Sequence, residues 1–348
     1  MTLEDQIVKL LQTDILLEIQ KAYGEGIIRD FKTFIDRLRS LYRHIDLSQY
    51  SSVIAIYRHS ELGGGIRKLE DNVYQHRTNK LVVNFLDDGY VEICDDKIDI
   101  SLLSNDSFVY KWNSKARLTD MFVVKGTEIP YSAEPCTYGL SYFAVKSYKG
   151  LDEALIYYRD AMALDAKGKA LCDALRQNRL FFKNAPEDLL QEALYEFLIA
   201  TLRDRAVVKR EFTVDKTHPV DISVTFKSTN HIALIEIKWL GMSLKEDGTG
   251  ISCDYKISRA NKGAKQLVDY IDANRESYPS HITAGYLVVY DLRRKNNINH
   301  TNTTISRANG DYFLRRELKM NPDYKRIRSD YKETYRFFIK VHRDAYID

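Results

Sequence analysis

Hydrophobic residues recur at helical spacing over the first 42 residues and predict two amphipathic helices. Thr2 and Asp5 fit the pattern of a capping box, and the apolar positions that follow at helical spacing are Ile7, Leu10, Leu11 and Ile15. A second periodic stretch covers residues 27–42. The chain is therefore expected to begin with helices rather than strands.

Beyond residue 50 the period of the pattern changes to two, which is typical of strands. Asp88-Gly89 lies between two apolar segments and predicts a tight hairpin turn. The predicted strands cover residues 53–57, 81–85, 90–93, 108–112, 121–124 and 138–145. Helices followed by strands predict that residues 1–150 form a separate N-terminal α+β domain.

The second half begins with helical periodicity at residues 151–164, and Pro186 fits the first position of another helix. The elements predicted after that helix are strands at 207–214, 220–226 and 231–239, a polar loop at 241–250, a helix at 263–274, a strand at 284–290, a helix at 312–320 and a strand at 335–342. This order predicts an α/β core with a mixed central sheet flanked by helices over residues 181–348. A helical connector over 151–180 is predicted to join this core to the first domain. The chain is therefore predicted to be α+β overall.

Composition restricts the class of protein. With 348 residues, 44% hydrophobic and 29% charged, the chain is expected to fold as two globular domains rather than remain disordered. No apolar run approaches the roughly 18–20 residues of a membrane-spanning helix, and the acidic start does not resemble a signal peptide. The four cysteines show no zinc or disulfide spacing, so a reducing cytoplasm is the expected location.

Positive charge accumulates near the C-terminus, where residues 291–348 hold 14 Lys and Arg against 8 Asp and Glu. Aromatic residues are interleaved with these cations, an arrangement that suits contact with a nucleic-acid backbone. The cations considered are Arg315, Arg316, Lys319, Lys325, Arg326 and Arg328. A solvated basic face explains the same pattern.

A glycine-rich segment in the first domain also has two interpretations. Gly63-Gly64-Gly65 could hold a phosphate or form a flexible turn.

The residues that carry candidate chemistry lie on two predicted strands. Side chains alternate along a strand, so Glu236 and Lys238 share a face, and Asp221 begins the preceding strand. Two neighbouring carboxylates repel each other, and a divalent cation relieves that repulsion. Oxygen ligands favour Mg²⁺ or Mn²⁺, which can activate a bound water. Lys238 could orient that water or neutralise charge on a phosphate.

In this order the residues resemble the PD-(D/E)XK phosphodiesterase superfamily, the restriction-endonuclease-like nucleases. Pro219-Val220-Asp221 is similar to the "PD" element with one residue inserted, and Glu236-Ile237-Lys238 matches "(D/E)XK". Gln266 and Tyr270 match the Q-x-x-x-Y pattern that many members carry on the next helix. The resemblance covers about residues 180–300 and implies a restriction-endonuclease-like core for the C-terminal domain.

The resemblance also implies a metal site. Asp221, Glu236 and the backbone carbonyl of Ile237 would hold Mg²⁺ or Mn²⁺. The family usually adds an acid from the helix before the hairpin, and here Glu196 is the first choice and Glu192 the second. These residues would be the ligands of a single catalytic centre.

The implied activity is metal-dependent hydrolysis of phosphodiester bonds, most simply in DNA, with RNA left open. Lys238 would position the nucleophile, and Gln266 would orient the scissile phosphate or the lysine. The N-terminal domain would serve targeting, sensing of a regulatory ligand or protein, or homodimerisation, as in bacterial effectors of defence against phage or plasmids. The competing interpretation is a non-catalytic nucleic-acid-binding or assembly subunit on the same fold.

Overall fold

A computed structural model describes most of the chain and divides it into two compact units, Met1–Val145 and Lys146–Asp348. The described residues are 15–57, 62, 65–69, 79–86, 88–94, 98–116, 120–131, 141, 143–144, 147–202, 205–213, 219–227, 229–295 and 298–347. The first predicted helix up to residue 14 and most of the predicted strand at 138–145 lie outside these residues. Residues 151–180, predicted to be a connector, fall within the second unit.

The first unit is built on a seven-stranded mixed sheet with the order β2-β4-β3-β1-β5-β6-β7. Its strands are β1 Ser52–Tyr57, β2 Ile66–Leu69, β3 Lys80–Phe85, β4 Tyr90–Ile93, β5 Phe108–Asn113, β6 Asp120–Val124 and β7 Thr127–Pro130. Strands β1 and β3 are parallel, whereas β3 and β4 pair antiparallel across the predicted hairpin. The strands predicted from alternation in this region are therefore confirmed within the described residues.

Helix α1, Ile28–His44, covers one face of that sheet. It forms because Phe31, Phe34, Leu38 and Leu41 recur at helical spacing and are all buried against the sheet. Residues 15–23 are also helical, and a short helix α2 follows at Ile100–Leu103. Several aromatic side chains of this core contact one another, and the rings of Phe34 and Phe108 stack with their centres 5.9 Å apart.

The second unit is built on a six-stranded mixed sheet with the order β13-β12-β10-β9-β8, to which β11 adds by pairing with β10. Its strands are β8 Ala206–Thr213, β9 Pro219–Phe226, β10 His231–Leu244, β11 Ile251–Tyr255, β12 Ile282–Asp291 and β13 Tyr331–Phe338. Strands β10, β12 and β13 are parallel, while β8 and β9 form an antiparallel hairpin. The α+β class and the mixed central sheet are as predicted.

Helices flank this sheet on both faces. They are α3 Tyr148–Tyr157, continued by a π-helical turn at Tyr158–Ala163, then α4 Lys169–Asp173, α5 Glu187–Leu202, α6 Ile257–Ser277, α7 Arg307–Gly310 and α8 Tyr324–Ile327. Trp239 contacts α5 and the adjacent Lys238 contacts α6. Because successive side chains of a strand point to opposite faces, α5 and α6 pack on opposite sides of β10.

Two predicted elements of the second unit differ from the structure. Residues 241–244 of the predicted polar loop continue β10, so that only 245–250 form a turn before β11, and Gly241 allows the longer strand with a φ of +121° close to the backbone of Leu292. The helix predicted at 312–320 is an irregular segment. Arg336 donates hydrogen bonds to the carbonyls of Phe313 and Arg316, which an α-helix would have used internally.

Candidate active site

Strands β9 and β10 bring Asp221 and Glu236 together. Their antiparallel ladder ends at Ile235 paired with Ile222, one position before Glu236 and Asp221 would face each other. Instead of continuing the ladder, the Ile237 N–H donates to Oδ2 of Asp221 over 2.6 Å. The Asp221 carboxylate therefore replaces a backbone acceptor at the point where the pairing stops.

The other oxygen of Asp221 accepts a hydrogen bond from helix α5, since Gln191 Nε2 lies 2.7 Å from Oδ1. Burial raises the pKa of Asp221, and the charge of Glu187 adds to the rise. The positive charge of Lys238 and the Ile237 N–H oppose it. Asp221 is thus a carboxylate held in place on both oxygens but poorly compensated in charge.

Glu236 is almost completely buried, with 1% of its surface exposed. Its Oε1 contacts Lys238 Nζ, whereas its Oε2 has no hydrogen-bond partner among the described residues. Burial, followed by the charge of Asp221, raises the pKa of Glu236 to about 8, although Lys238 opposes the rise. A buried carboxylate oxygen without a partner costs stability, so the site is incomplete as protein alone.

Helix α6 shapes the space around Lys238. Its first turns carry small buried residues, Ala260, Gly263 and Ala264, against the sheet. A Cβ at Gly263 would lie 2.6 Å from Cγ and 3.0 Å from Cε of Lys238, closer than atoms tolerate. Glycine at this position therefore lets the lysine side chain pass between β10 and α6 to reach Glu236.

Two residues not predicted from the sequence complete the surroundings. Glu187, in the first turn of α5, accepts a hydrogen bond from Trp239 Nε1 at 2.7 Å and lies 3.8 Å from Arg259 Nη2. The Arg259 guanidinium stacks 4.7 Å from the centre of the Tyr255 ring, and its charge acts on Glu236. The cluster thus contains three acids, a lysine and an arginine.

The remaining predicted residues lie outside direct contact with the acid pair. Glu196 is exposed on α5, and its charge acts on Tyr158 rather than on Asp221. Gln266 donates to the hydroxyl of Tyr270 at 2.6 Å, and that hydroxyl donates to the carbonyl of Pro219 at 3.3 Å. Gln266 is therefore connected to the start of β9, two residues before Asp221, and not to Glu236 or Lys238.

The helical wheel explains why α5 presents Glu187 and Gln191. These residues stand seven positions before Leu194 and Leu198, so they share the buried stripe, whereas Glu196 is rotated about 200° from Leu194. The same arithmetic could have been applied to the sequence. Of these two acids of α5, it is therefore Glu187 and not Glu196 that lies on the face that meets Asp221.

The donor set suits a hard cation. Each Asp221 oxygen keeps a lone pair beyond the single hydrogen bond it accepts, and Glu236 Oε2 keeps both. The part of the chain that the structure describes contains no group of three or more His, Cys, Asp or Glu side chains able to hold a metal ion. Asp221 and Glu236 would therefore be the two carboxylate ligands, and the carbonyl of Ile237, water and substrate would be left for the other positions of a Mg²⁺ ion.

Comparisons with protein-family models, with curated proteins and with solved structures found no match to this chain. Among the described helices, none is both long enough and apolar enough to cross a membrane.

Proposed function

We propose that this protein is a metal-dependent nuclease with a restriction-endonuclease-like core, and that it hydrolyses phosphodiester bonds in DNA. The observation that carries this proposal is the unpartnered Oε2 of buried Glu236 beside Asp221 and Lys238. Buried charges are normally neutralised within the protein. A site that leaves a carboxylate oxygen free, next to a second buried acid, is suited to a cation.

The chain itself would hold the ligands and position the lysine. Asp221 and Glu236 would bind Mg²⁺ or Mn²⁺, and the carbonyl of Ile237 remains the proposed third protein ligand. When bound, the ion would acidify a coordinated water and screen the charge of the scissile phosphate. Of the three N–H donors of Lys238, one is directed at Glu236, which leaves two for the water or the phosphate.

The surrounding residues support this assignment by position. Glu187 and Gln191 hold the α5 side of the site, and Gly263 keeps the α6 side open for Lys238. Arg259 lies within reach of the same cluster and would bind a phosphate oxygen. For the first unit we propose targeting, sensing or dimerisation, and a role in defence against phage or plasmids is the corresponding biological proposal.

Digestion of supercoiled plasmid, linear duplex and single-stranded DNA with Mg²⁺ or Mn²⁺ tests the proposal. The wild type should cut, and Asp221→Asn, Glu236→Gln and Lys238→Ala should each lose at least about 10²-fold in rate. Glu196→Gln on the same helix α5 is the matched control and should cut at the wild-type rate, whereas Glu187→Gln should slow cutting.

The outcomes separate the alternatives. Cutting that survives in all three site variants would exclude this site. If the wild type binds DNA without metal, with affinity that falls as salt rises, and does not cut under any condition, the protein is a non-catalytic binding subunit. Cutting of single-stranded RNA in place of DNA would keep the chemistry and change the substrate.

A further inference from the structure

A basic groove runs along the outer edge of the second unit's sheet, beside strand β13. It has a volume of about 980 Å³ and is lined by seven Lys and Arg residues against three Asp and Glu. One wall is Ile156 and Arg159 of helix α3 and its π-helical continuation, and the other is the irregular segment 314–320. The groove belongs entirely to the second unit.

Several of these cations are already neutralised. Lys325 pairs with Glu333, Arg326 with Asp323, and Arg336 with Asp291. The same is true of Arg159, which pairs with Asp160. These pairs shape the groove but leave little charge for a ligand.

Three other cations keep their charge available. Arg315, Arg316 and Lys319 are exposed, and none contacts a carboxylate among the described residues. Arg316 stacks 3.8 Å from the centre of the Tyr312 ring, which fixes its direction without neutralising it. Alternate residues of this segment, Leu318 and Met320, pack against the core, so the segment is anchored.

The register of the sheet relates this groove to the acid pair. Lys238 of β10 pairs with Val289 of β12, which pairs with Arg336 of β13. Glu236 is related in the same way, through Leu287, to Thr334. Thr334 and Arg336 line the groove. Two strand spacings, about 10 Å, therefore separate strand β13 at the groove from strand β10, which carries Glu236 and Lys238.

We propose that this groove binds the phosphate backbone of the DNA substrate on one side of the cut, with Arg315, Arg316 and Lys319 as the contacting cations. The inference rests on the proposed function in taking DNA as the substrate. The contacts would be independent of sequence, since they reach phosphates and not base edges. They would set affinity and position, whereas Asp221, Glu236 and Lys238 would perform hydrolysis.

Fluorescence anisotropy with a labelled 30-base-pair duplex, in EDTA and over a range of salt concentrations, tests this without chemistry. Replacing Arg315, Arg316 and Lys319 together by alanine should reduce the slope of log affinity against log salt by about 2–3. Affinity near physiological salt should fall about 10–100-fold. The matched control is the triple alanine variant of Lys167, Lys169 and Lys245, exposed cations of the same unit, and should change affinity less than about 2-fold.

Equal losses in the two triple variants, or no binding by the wild type, would overturn the groove assignment. Tighter binding of an RNA duplex of the same length, with a steeper salt slope, would also overturn it as a DNA site. Binding that depends on the groove in a protein that never cuts would refute the nuclease proposal and leave the groove intact. If the protein cuts DNA but the groove variant binds DNA normally, the groove assignment is refuted and the nuclease proposal stands.

Discussion

Two buried acids on neighbouring parallel strands have opposite environments. Asp291, at the end of β12, is fully buried, and both of its oxygens accept hydrogen bonds. Arg293 Nε lies 2.9 Å from Oδ1, while Arg293 Nη2 and Arg336 Nε lie 2.8 and 2.7 Å from Oδ2. Glu236, on β10, is equally buried but has one oxygen without a partner and only a lysine beside the other.

The pKa values of the two acids move in opposite directions. Burial alone would raise the pKa of Asp291, but the hydrogen bonds and charges of Arg293 and Arg336 outweigh it and hold the pKa below its usual range. For Glu236 burial and Asp221 prevail, and the pKa rises. Burial of charge is therefore not by itself a sign of function. The difference between the two acids lies in their hydrogen-bond partners, since Glu236 Oε2 has none among the described residues whereas both oxygens of Asp291 are satisfied.

The largest expected effect is on stability. Asp291→Asn should lower the free energy of unfolding by about 3–5 kcal/mol, because it leaves the largely buried Arg293 and Arg336 without a counter-charge. Urea unfolding measures this. Asp269→Asn, at an exposed position of α6, is the control and should stay within about 0.5 kcal/mol of the wild type. A loss below 1 kcal/mol for Asp291→Asn would mean that the arginines are satisfied by other groups.

Glu236→Gln should do the opposite in the absence of metal. Removing a buried charge that Lys238 compensates only in part should stabilise the protein by about 1–2 kcal/mol at pH 8, while it abolishes cutting. Added Mg²⁺ should raise the melting temperature of the wild type and leave the variant unchanged. A variant that is less stable than the wild type in EDTA would show that the Glu236 charge is compensated, and the comparison with Asp291 would no longer hold.

The pH dependence of stability should differ in sign at the two acids. The contribution of Asp291 is present above the ordinary aspartate pKa of about 3.9 and is lost as pH falls through its lower folded value. In contrast, Glu236 binds its proton more tightly when folded, so its contribution falls as pH rises from about 4.3 towards 8. Unfolding in EDTA across pH 3–9 measures both effects. In Glu236→Gln the free energy of unfolding should depend less on pH in the upper part of this range, and in Asp291→Asn it should depend less on pH in the lower part. Equal slopes in the two variants would contradict the assignment.

Much of this fold could be predicted from local pattern, because strands such as β1, β9 and β12 carry their own alternation or apolar runs. Local pattern failed at residues 312–320, where Leu314 and Leu318 have helical spacing but Arg336, from a distant strand, binds the carbonyls. Tertiary hydrogen bonds of this kind leave no mark in the segment itself.

The candidate site shows the same division. Asp221, Glu236 and Lys238 were predicted from two strands in order, and the structure brings them together. The third acid was predicted at Glu196. Choosing correctly among the acids of helix α5 requires knowing which face of the helix is buried. The environment of Asp291 cannot be predicted from local pattern, since its partner Arg336 lies 45 residues away in the sequence.

The smallest effect we predict concerns the space beside Lys238. Gly263→Ala should lower the cutting rate about 10-fold, because the added Cβ would displace the lysine side chain from Glu236, and small displacements of a reacting group are costly. Mg²⁺ binding, measured as the metal-dependent shift in melting temperature, should persist, since neither carboxylate is changed. Gly150→Ala is the matched control, because Gly150 is also in a helix and its Cβ would meet nothing within 4 Å. That variant should gain about 0.5–1 kcal/mol of stability and keep its activity. If Gly263→Ala cut as fast as Gly150→Ala, the path of Lys238 beneath α6 would not matter to the chemistry, and the lysine would have to act from a different position.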